Sequence, residues 1–140
     1  VGIHSIPGKL EVSWRGDVRA IVDTWTDYGV TLDEFKEAVL VKGVNYARQN
    51  GGIAYIVDSS KAKGCFSQEI QTFIGSDVFP AFVKNGIKYF ITINSQVSAL
   101  TQGTVRAYQA KTASCGLKLV EVNSVDDAIM WLKHNNRNAA

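Results

Sequence analysis

The chain is short of the residues that carry most metal and nucleophile chemistry. Its 140 residues include two cysteines, Cys65 and Cys115, and two histidines, His4 and His134. There is no Cys-x-x-Cys pair and no ligand spacing, which argues against a disulfide scaffold or a zinc site. A reducing cytoplasm is the simplest setting. In the fold expected below, the two cysteines fall at opposite ends of the sheet. A disulfide needs Cα atoms within about 7 Å, so none is expected. No stretch approaches the roughly 18 apolar residues of a membrane span. The start, Val1 to Ser5, lacks the basic and apolar segments of a signal peptide. Gly51-Gly52 and Gly64 are isolated turn signals and not a phosphate-cradling loop, and there is no Gly-x-Ser-x-Gly elbow. Neither a cofactor nor a metal is expected. The formal charge is only +2, and Lys61, Lys63, Lys84, Lys88, Arg106, Lys111 and Lys118 are scattered, so nucleic acid is not an expected partner.

What the chain does have is apolar pattern. Apolar residues make up 46% and charged residues 20%, enough for a single domain with its own core. The stretch Ile53 to Val57 is a nearly continuous apolar run that breaks into Asp58-Ser59-Ser60. It reads as a strand buried on both faces, at the centre of a parallel sheet. Ile87 to Asn94 and Leu117 to Val122 read as further strands. Leu10, Val12 and Trp14 alternate with polar residues. A turn at Arg15-Gly16-Asp17-Val18 leads into the β-branched stretch from Arg19 to Asp27, giving an opening hairpin. The competing reading of Asp17 to Trp25 is a short helix.

Helical spacing separates these strands. Thr31 is an N-cap with Glu34 three residues on, a capping box. Leu32, Phe35, Val39, Gly43 and Tyr46 follow on one face, and Asn50-Gly51-Gly52 stops the helix. Ser67 caps a helix that Gly75 interrupts, with a second piece from Val78 to Lys84. Another helix is expected behind Ser95 or Ser98, ending at Ser114, and a last one begins at Ser124-Val125-Asp126-Asp127. The expected fold is α/β: a mixed, mainly parallel sheet with an N-terminal β-hairpin and helices on both faces. Residues 1–140 form a single domain, with residues 1–8 and 135–140 as tails.

This order of elements resembles the STAS domain superfamily, in particular its divergent SpoIIAA-like (STAS/SEC14-like) branch. The stretches that carry the likeness are Trp25 with Val30 to Phe35, the Val57-Asp58 strand end, Val78 to Phe82 with Asn85 to Lys88, and Ser124 to Leu132. The resemblance implies a regulatory domain that binds a partner or small ligand. It also implies a phosphorylatable serine at the start of the helix after the central strand. Ser67 holds that position, without the Asp-Ser-Ser-Gly context of the family's switch serine.

The carboxyl ends of the parallel strands bring candidate binding residues to one edge: Asp58, Ser59, Ser60, Asn94, Ser95 and Asn123, with Ser67 nearby. Helix N-termini there could hold an anion, although serines and asparagines at such places also serve as ordinary caps and turns. Phe66, Phe73, Phe79 and Phe82 crowd a broken helix that could lie over an apolar pocket or fill the core. The expected function is a non-catalytic interaction module for an unidentified protein partner or a small apolar or anionic ligand. The alternatives are an apolar-ligand or lipid-binding domain, or an enzyme using Asp58, Ser59 or Ser67. A homodimer paired through the hairpin edge is a further expectation, with Arg19 and Asp23 only partly blunting that edge.

Overall fold

The computed structural model describes residues 2–64, 66–93 and 117–139. The alternating stretch forms strand β2 (Leu10–Arg15), and the β-branched stretch forms β3 (Ala20–Trp25). They pair antiparallel, which settles Asp17 to Trp25 as turn and strand, not helix. The central run forms β4 (Ala54–Asp58), followed by β5 (Tyr89–Ile93) and β6 (Lys118–Val122). Gly2–Ile6 forms a further strand, β1, antiparallel to β2.

The six strands lie in sequential order, β1 to β6. β3, β4, β5 and β6 are parallel, so the second hairpin strand belongs to the parallel body of the sheet. β3 is therefore not an edge. Asp23, expected to blunt one, is buried between β2 and β4.

Among the described residues, three helices accompany the sheet. The first, α1, is α-helical over Leu32–Lys36, π-helical over Glu37–Val44 and α-helical again over Asn45–Asn50. Its capping box is complete: Glu34 N–H donates to Thr31 Oγ1 at 3.1 Å, and Thr31 N–H donates to Glu34 Oε1 at 2.9 Å. Gly51 ends it in the left-handed region, φ 70°. Thr31→Ala is expected to cost about 1 kcal/mol of stability in urea denaturation, and Thr31→Ser to restore most of it.

The second helix, α2, runs through Gly75 without a break. It is α-helical over Gln68–Phe73, π-helical over Ile74–Val78 and α-helical over Phe79–Lys84. The expected interruption is thus a change of helix geometry. Pro80 gives the reason: it has no N–H to donate, and in a regular α-helix its ring would crowd the carbonyl four residues back. A wider turn just before it relieves that conflict. The third helix, α3, spans Val125–Ala139. Its first turn is capped by Ser124, whose Oγ accepts from Asp127 N–H at 3.1 Å.

Two of the expected tails are ordered elements. Residues 2–6 pair with β2, because Pro7-Gly8 closes a tight turn (Gly8 φ 73°, Lys9 N–H to Ile6 carbonyl 2.9 Å) that folds them back. Residues 135–139 continue α3, with Asn135 Nδ2 donating back to the Trp131 carbonyl at 2.8 Å.

Successive residues of a strand point to opposite faces, and both faces of this sheet are covered. On one, Ile21, Trp25, Tyr55, Val57 and Phe90 pack under α1 and α2. On the other, Ala20, Val22, Ile56 and Ile91 pack with Ala128, Ile129 and Leu132 of α3. The strand order does not reverse between β3 and β5. Crossovers of one hand therefore place α1 and α2 on the same face.

Candidate functional site

At the carboxyl edge of the sheet, backbone and side chains are tied into one stitched surface. Tyr28 N–H donates to the Lys63 carbonyl at 3.0 Å, and Lys63 N–H to the Thr26 carbonyl at 3.3 Å. Asp58 Oδ1 accepts from both the N–H (3.0 Å) and the hydroxyl (2.7 Å) of Ser60, closing the turn after β4. Asp27 Oδ1 accepts from Gly29 N–H at 2.8 Å. The Ser59 and Tyr28 hydroxyls are hydrogen-bonded to each other inside the core. Burial pushes the Tyr28 hydroxyl up to about 12; the Ser59 bond opposes the shift, and Asp58 and Asp23 add to it. Ser67 Oγ accepts from Ile70 N–H at 3.2 Å as the cap of α2.

The hydroxyls expected to carry chemistry are thus engaged structurally. Ser59 holds Tyr28, Ser60 holds Asp58, and Ser67 holds the helix end. Asn123 is exposed just past β6. Asn94, Ser95, Cys65 and Cys115 lie outside the described residues, as does the helix expected to end at Ser114. Lys61, Lys63 and Gly64 are exposed on this edge.

A second constellation sits deeper and was not anticipated. Asp23 lies in the middle of β3 on the face that carries Ile21 and Trp25, with 1% of its surface exposed. Tyr55, on the neighbouring strand, donates its hydroxyl to Asp23 Oδ2 at 2.9 Å. The other oxygen, Oδ1, is buried with no hydrogen-bond partner among the described residues. Burial pushes the Asp23 carboxyl up from the ordinary 3.8 to about 8, and the Tyr55 bond only partly opposes this. At neutral pH the group is an uncharged acid. That is the expected outcome for a carboxyl buried in an apolar interior. Thr92 Oγ1 is likewise buried with no partner among the described residues. The register Asp23–Val57–Thr92 puts it in the same row, two strands away.

The Asp23–Tyr55 pair borders an internal cavity of about 10 Å³. Its walls include Trp25, Phe35, Phe79, Phe82 and Phe90, all buried. Of the four phenylalanines expected around an apolar pocket, Phe79 and Phe82 line this cavity and the other two do not. Phe66 packs among Trp25, Tyr28 and Phe35. Phe73 is half-buried, with the Lys36 ammonium 4.9 Å from its ring centre. The cavity holds about one water-sized sphere, against the several hundred Å³ of ordinary ligand pockets.

Gly43 makes room for this arrangement. A Cβ there would stand 2.8 Å from Tyr55 Oη and 3.3 Å from the Ala38 carbonyl oxygen. Alanine normally gains about 1 kcal/mol over glycine inside a helix. Here the clash with an anchored hydroxyl outweighs that gain, and Gly43→Ala is expected to destabilise by about 1–3 kcal/mol. In a Tyr55→Phe background, which removes Oη, the same substitution should cost clearly less. A double-mutant cycle by urea denaturation measures the difference.

The buried pair had a weak signal in the sequence. Asp23 stands between Ile21 and Trp25, and the intervening Val22 and the preceding Ala20 are apolar too. A strand apolar on both faces leaves its one acidic residue nowhere to go but inside.

Among the described residues no group of three or more His, Cys, Asp or Glu side chains could hold a metal ion. Among them, too, no helix is long and apolar enough to cross a membrane. The chain matches no protein-family model, no curated protein and no solved structure.

Proposed function

We propose that the chain is a non-catalytic interaction module whose partner is a protein, bound at the carboxyl edge of the parallel strands. The observation that carries this reading is the state of the edge itself. In open α/β sheets, small ligands settle in the crevice where the strand order reverses. Here the described strands run in sequential order from β1 to β6, with no reversal. The edge is instead a surface stitched by backbone hydrogen bonds, and its serine hydroxyls serve the fold. A pinned surface suits a macromolecular partner, because little ordering entropy is lost on binding. Asp27 and Asp58 are turned into their own turns, while Lys61 and Lys63 stay exposed. An acidic partner surface fits that balance.

The same reading keeps the likeness to SpoIIAA-like domains as a proposal. The capping box at Thr31 and the start of α3 at Val125 fall in the stretches on which that likeness rests.

A photo-crosslinking amino acid at Lys63 tests the edge, with one at Lys84 as a control near the opposite end of the sheet. Adducts of one discrete size from position 63, weakened by Lys61→Glu, are the expected result. Equal adducts from both positions, or adducts indifferent to Lys61→Glu, would contradict the proposal.

A further inference from the structure

We propose that the free edge of β1 is a docking strip for an extended segment of a partner protein that carries lysine or arginine at alternate positions. The segment adds a strand beside β1 and places its basic side chains at the cleft between β1 and the start of α1. The strip is distinct from the carboxyl edge with its exposed Lys61 and Lys63 and is opposite to it in charge. The inference does not depend on the reading of that edge.

Three observations converge on this edge. The first is its backbone. β1 is the outermost strand on its side of the described sheet and pairs there only with β2. The Ile6 carbonyl accepts from Lys9 N–H, so Ile6 is turned toward β2. Successive residues of an antiparallel strand direct their N–H and C=O groups to opposite sides, so Ser5 turns both outward. Ser5 is also exposed. Natural edges are blunted by charges, prolines or bulges. Within Gly2–Ile6 there is no lysine, carboxylate or proline, and the one bulge falls between Gly2 and His4, clear of Ser5 and Ile6.

The second is the space beside the edge. A cleft of about 390 Å³ lies between β1 and α1, lined by His4, Ser5, Ile6 and Pro7 on one side and by Asp33, Glu34 and Glu37 on the other. It is as large as ordinary binding clefts. His4 and Ile6 are in register with Val12 and Leu10, which belong to the face under α1. An added strand would lie about 4.8 Å beyond β1. Every second side chain of that strand would point to the side of α1.

The third is charge, and it selects the occupant. Asp33 and Glu37 are exposed. Glu37 meets Lys42 at 3.8 Å, an exposed pair of little strength. Glu34 gives one oxygen to the Thr31 N–H. No lysine or arginine lines the cleft. A basic segment therefore brings complementary charge to it. A second copy of the chain does not. Antiparallel pairing of two β1 edges would put both α1 helices on the same face of the joined sheet. The two sets of Asp33, Glu34 and Glu37 would then face each other across one seam, and like charges so placed oppose association. Charge thus argues against the hairpin-edge homodimer expected from the sequence.

The test uses the whole chain, isotope-labelled for NMR and titrated at low salt with a short peptide in which lysine and valine alternate. One control peptide has glutamate in place of lysine. The other keeps the lysines but carries a central proline, which cannot donate to a ladder. The lysine–valine peptide is expected to shift the amide signals of Gly2–Ile6 and to slow exchange of the Ser5 amide hydrogen. Both controls should bind about tenfold more weakly or worse. Ser5→Pro, which removes the outward donor, should reduce binding to the level of the proline control. Asp33→Asn combined with Glu37→Gln should weaken it by about tenfold. No shifts in β1, equal binding of either control, or a concentration-dependent dimer that Ser5→Pro abolishes would each overturn the proposal. If Ser5→Pro does not fold, the Asp33→Asn, Glu37→Gln variant, altered only at exposed positions, decides. Unchanged affinity in that variant would overturn the proposal.

Discussion

Raising the pH from 5 to 9 is expected to remove several kcal/mol of stability through Asp23 alone. Its carboxyl titrates at about 8 in the folded chain, against an ordinary value of 3.8. Below about pH 4 both the folded and the unfolded chain hold this proton, and the contribution is fully present. Between pH 4 and 8 the unfolded chain releases the proton while the folded chain keeps it, so stability falls steadily as pH rises. Above pH 8 the folded chain must either ionise a buried carboxylate or open. At 1.36 kcal/mol per pKa unit, a shift of this size amounts to roughly 3–6 kcal/mol. That is a large share of the roughly 5–15 kcal/mol that holds a domain together.

The substitution Asp23→Asn isolates the effect, because every other titrating group is common to both chains. Asparagine keeps an acceptor for the Tyr55 hydroxyl and cannot ionise. At pH 5 the variant should be equal to the native chain or slightly less stable, since its amide N–H groups lack a partner. At pH 9 it should be the more stable of the two. Urea denaturation across the range measures the crossover, and parallel curves for the two proteins would refute it.

Trp25→Ala is expected to be the most damaging single truncation, at about 3–5 kcal/mol. Trp25 is 1% exposed and touches three other rings: Tyr28 at 5.3 Å, Phe35 at 6.2 Å and Phe66 at 5.0 Å between centroids. Those rings come from three places in the chain: the loop after β3, helix α1, and the segment before α2. One side chain therefore joins the sheet to the helix layer at the end that carries the carboxyl edge. Its loss should loosen the Tyr28–Ser59 contact as well as lower the melting temperature. Hydrogen exchange should quicken in residues 26–29 and 59–64 before it does in β4 and β5. Trp25→Phe, which keeps a ring in place, should lose less than half as much. Uniform acceleration across the sheet would show that Trp25 contributes bulk packing only.

Much of the architecture was legible from local pattern. The alternation of Leu10, Val12 and Trp14, the apolar run before Asp58, and the Thr31–Glu34 box each encode an element through its own period or cap. The structure contains all three. What escaped was what depends on distant partners. Gly2–Ile6 has little pattern of its own and becomes a strand because the Pro7-Gly8 turn delivers it to β2. Asp23 reads as a solvent-facing charge while β3 is taken for an edge strand. It becomes a core acid once β4 covers the strand's free side and α1 and α2 cover its face. Gly43 looks like a weak point in a helix until Tyr55 is seen beneath it. At the carboxyl edge, the sequence placed Asp58, Ser59 and Ser60 together but could not show that Tyr28 takes up Ser59.

The most direct test of the account is an NMR titration of the Asp23 side-chain carboxyl carbon, assigned by comparison with Asp23→Asn. A signal that stays protonated through pH 6 and titrates near 8 is the predicted result. It would place an uncharged acid in the core, held by Tyr55. A signal that titrates near 4 would mean that Asp23 is solvated or paired with a cation, and the pH dependence would fall with it.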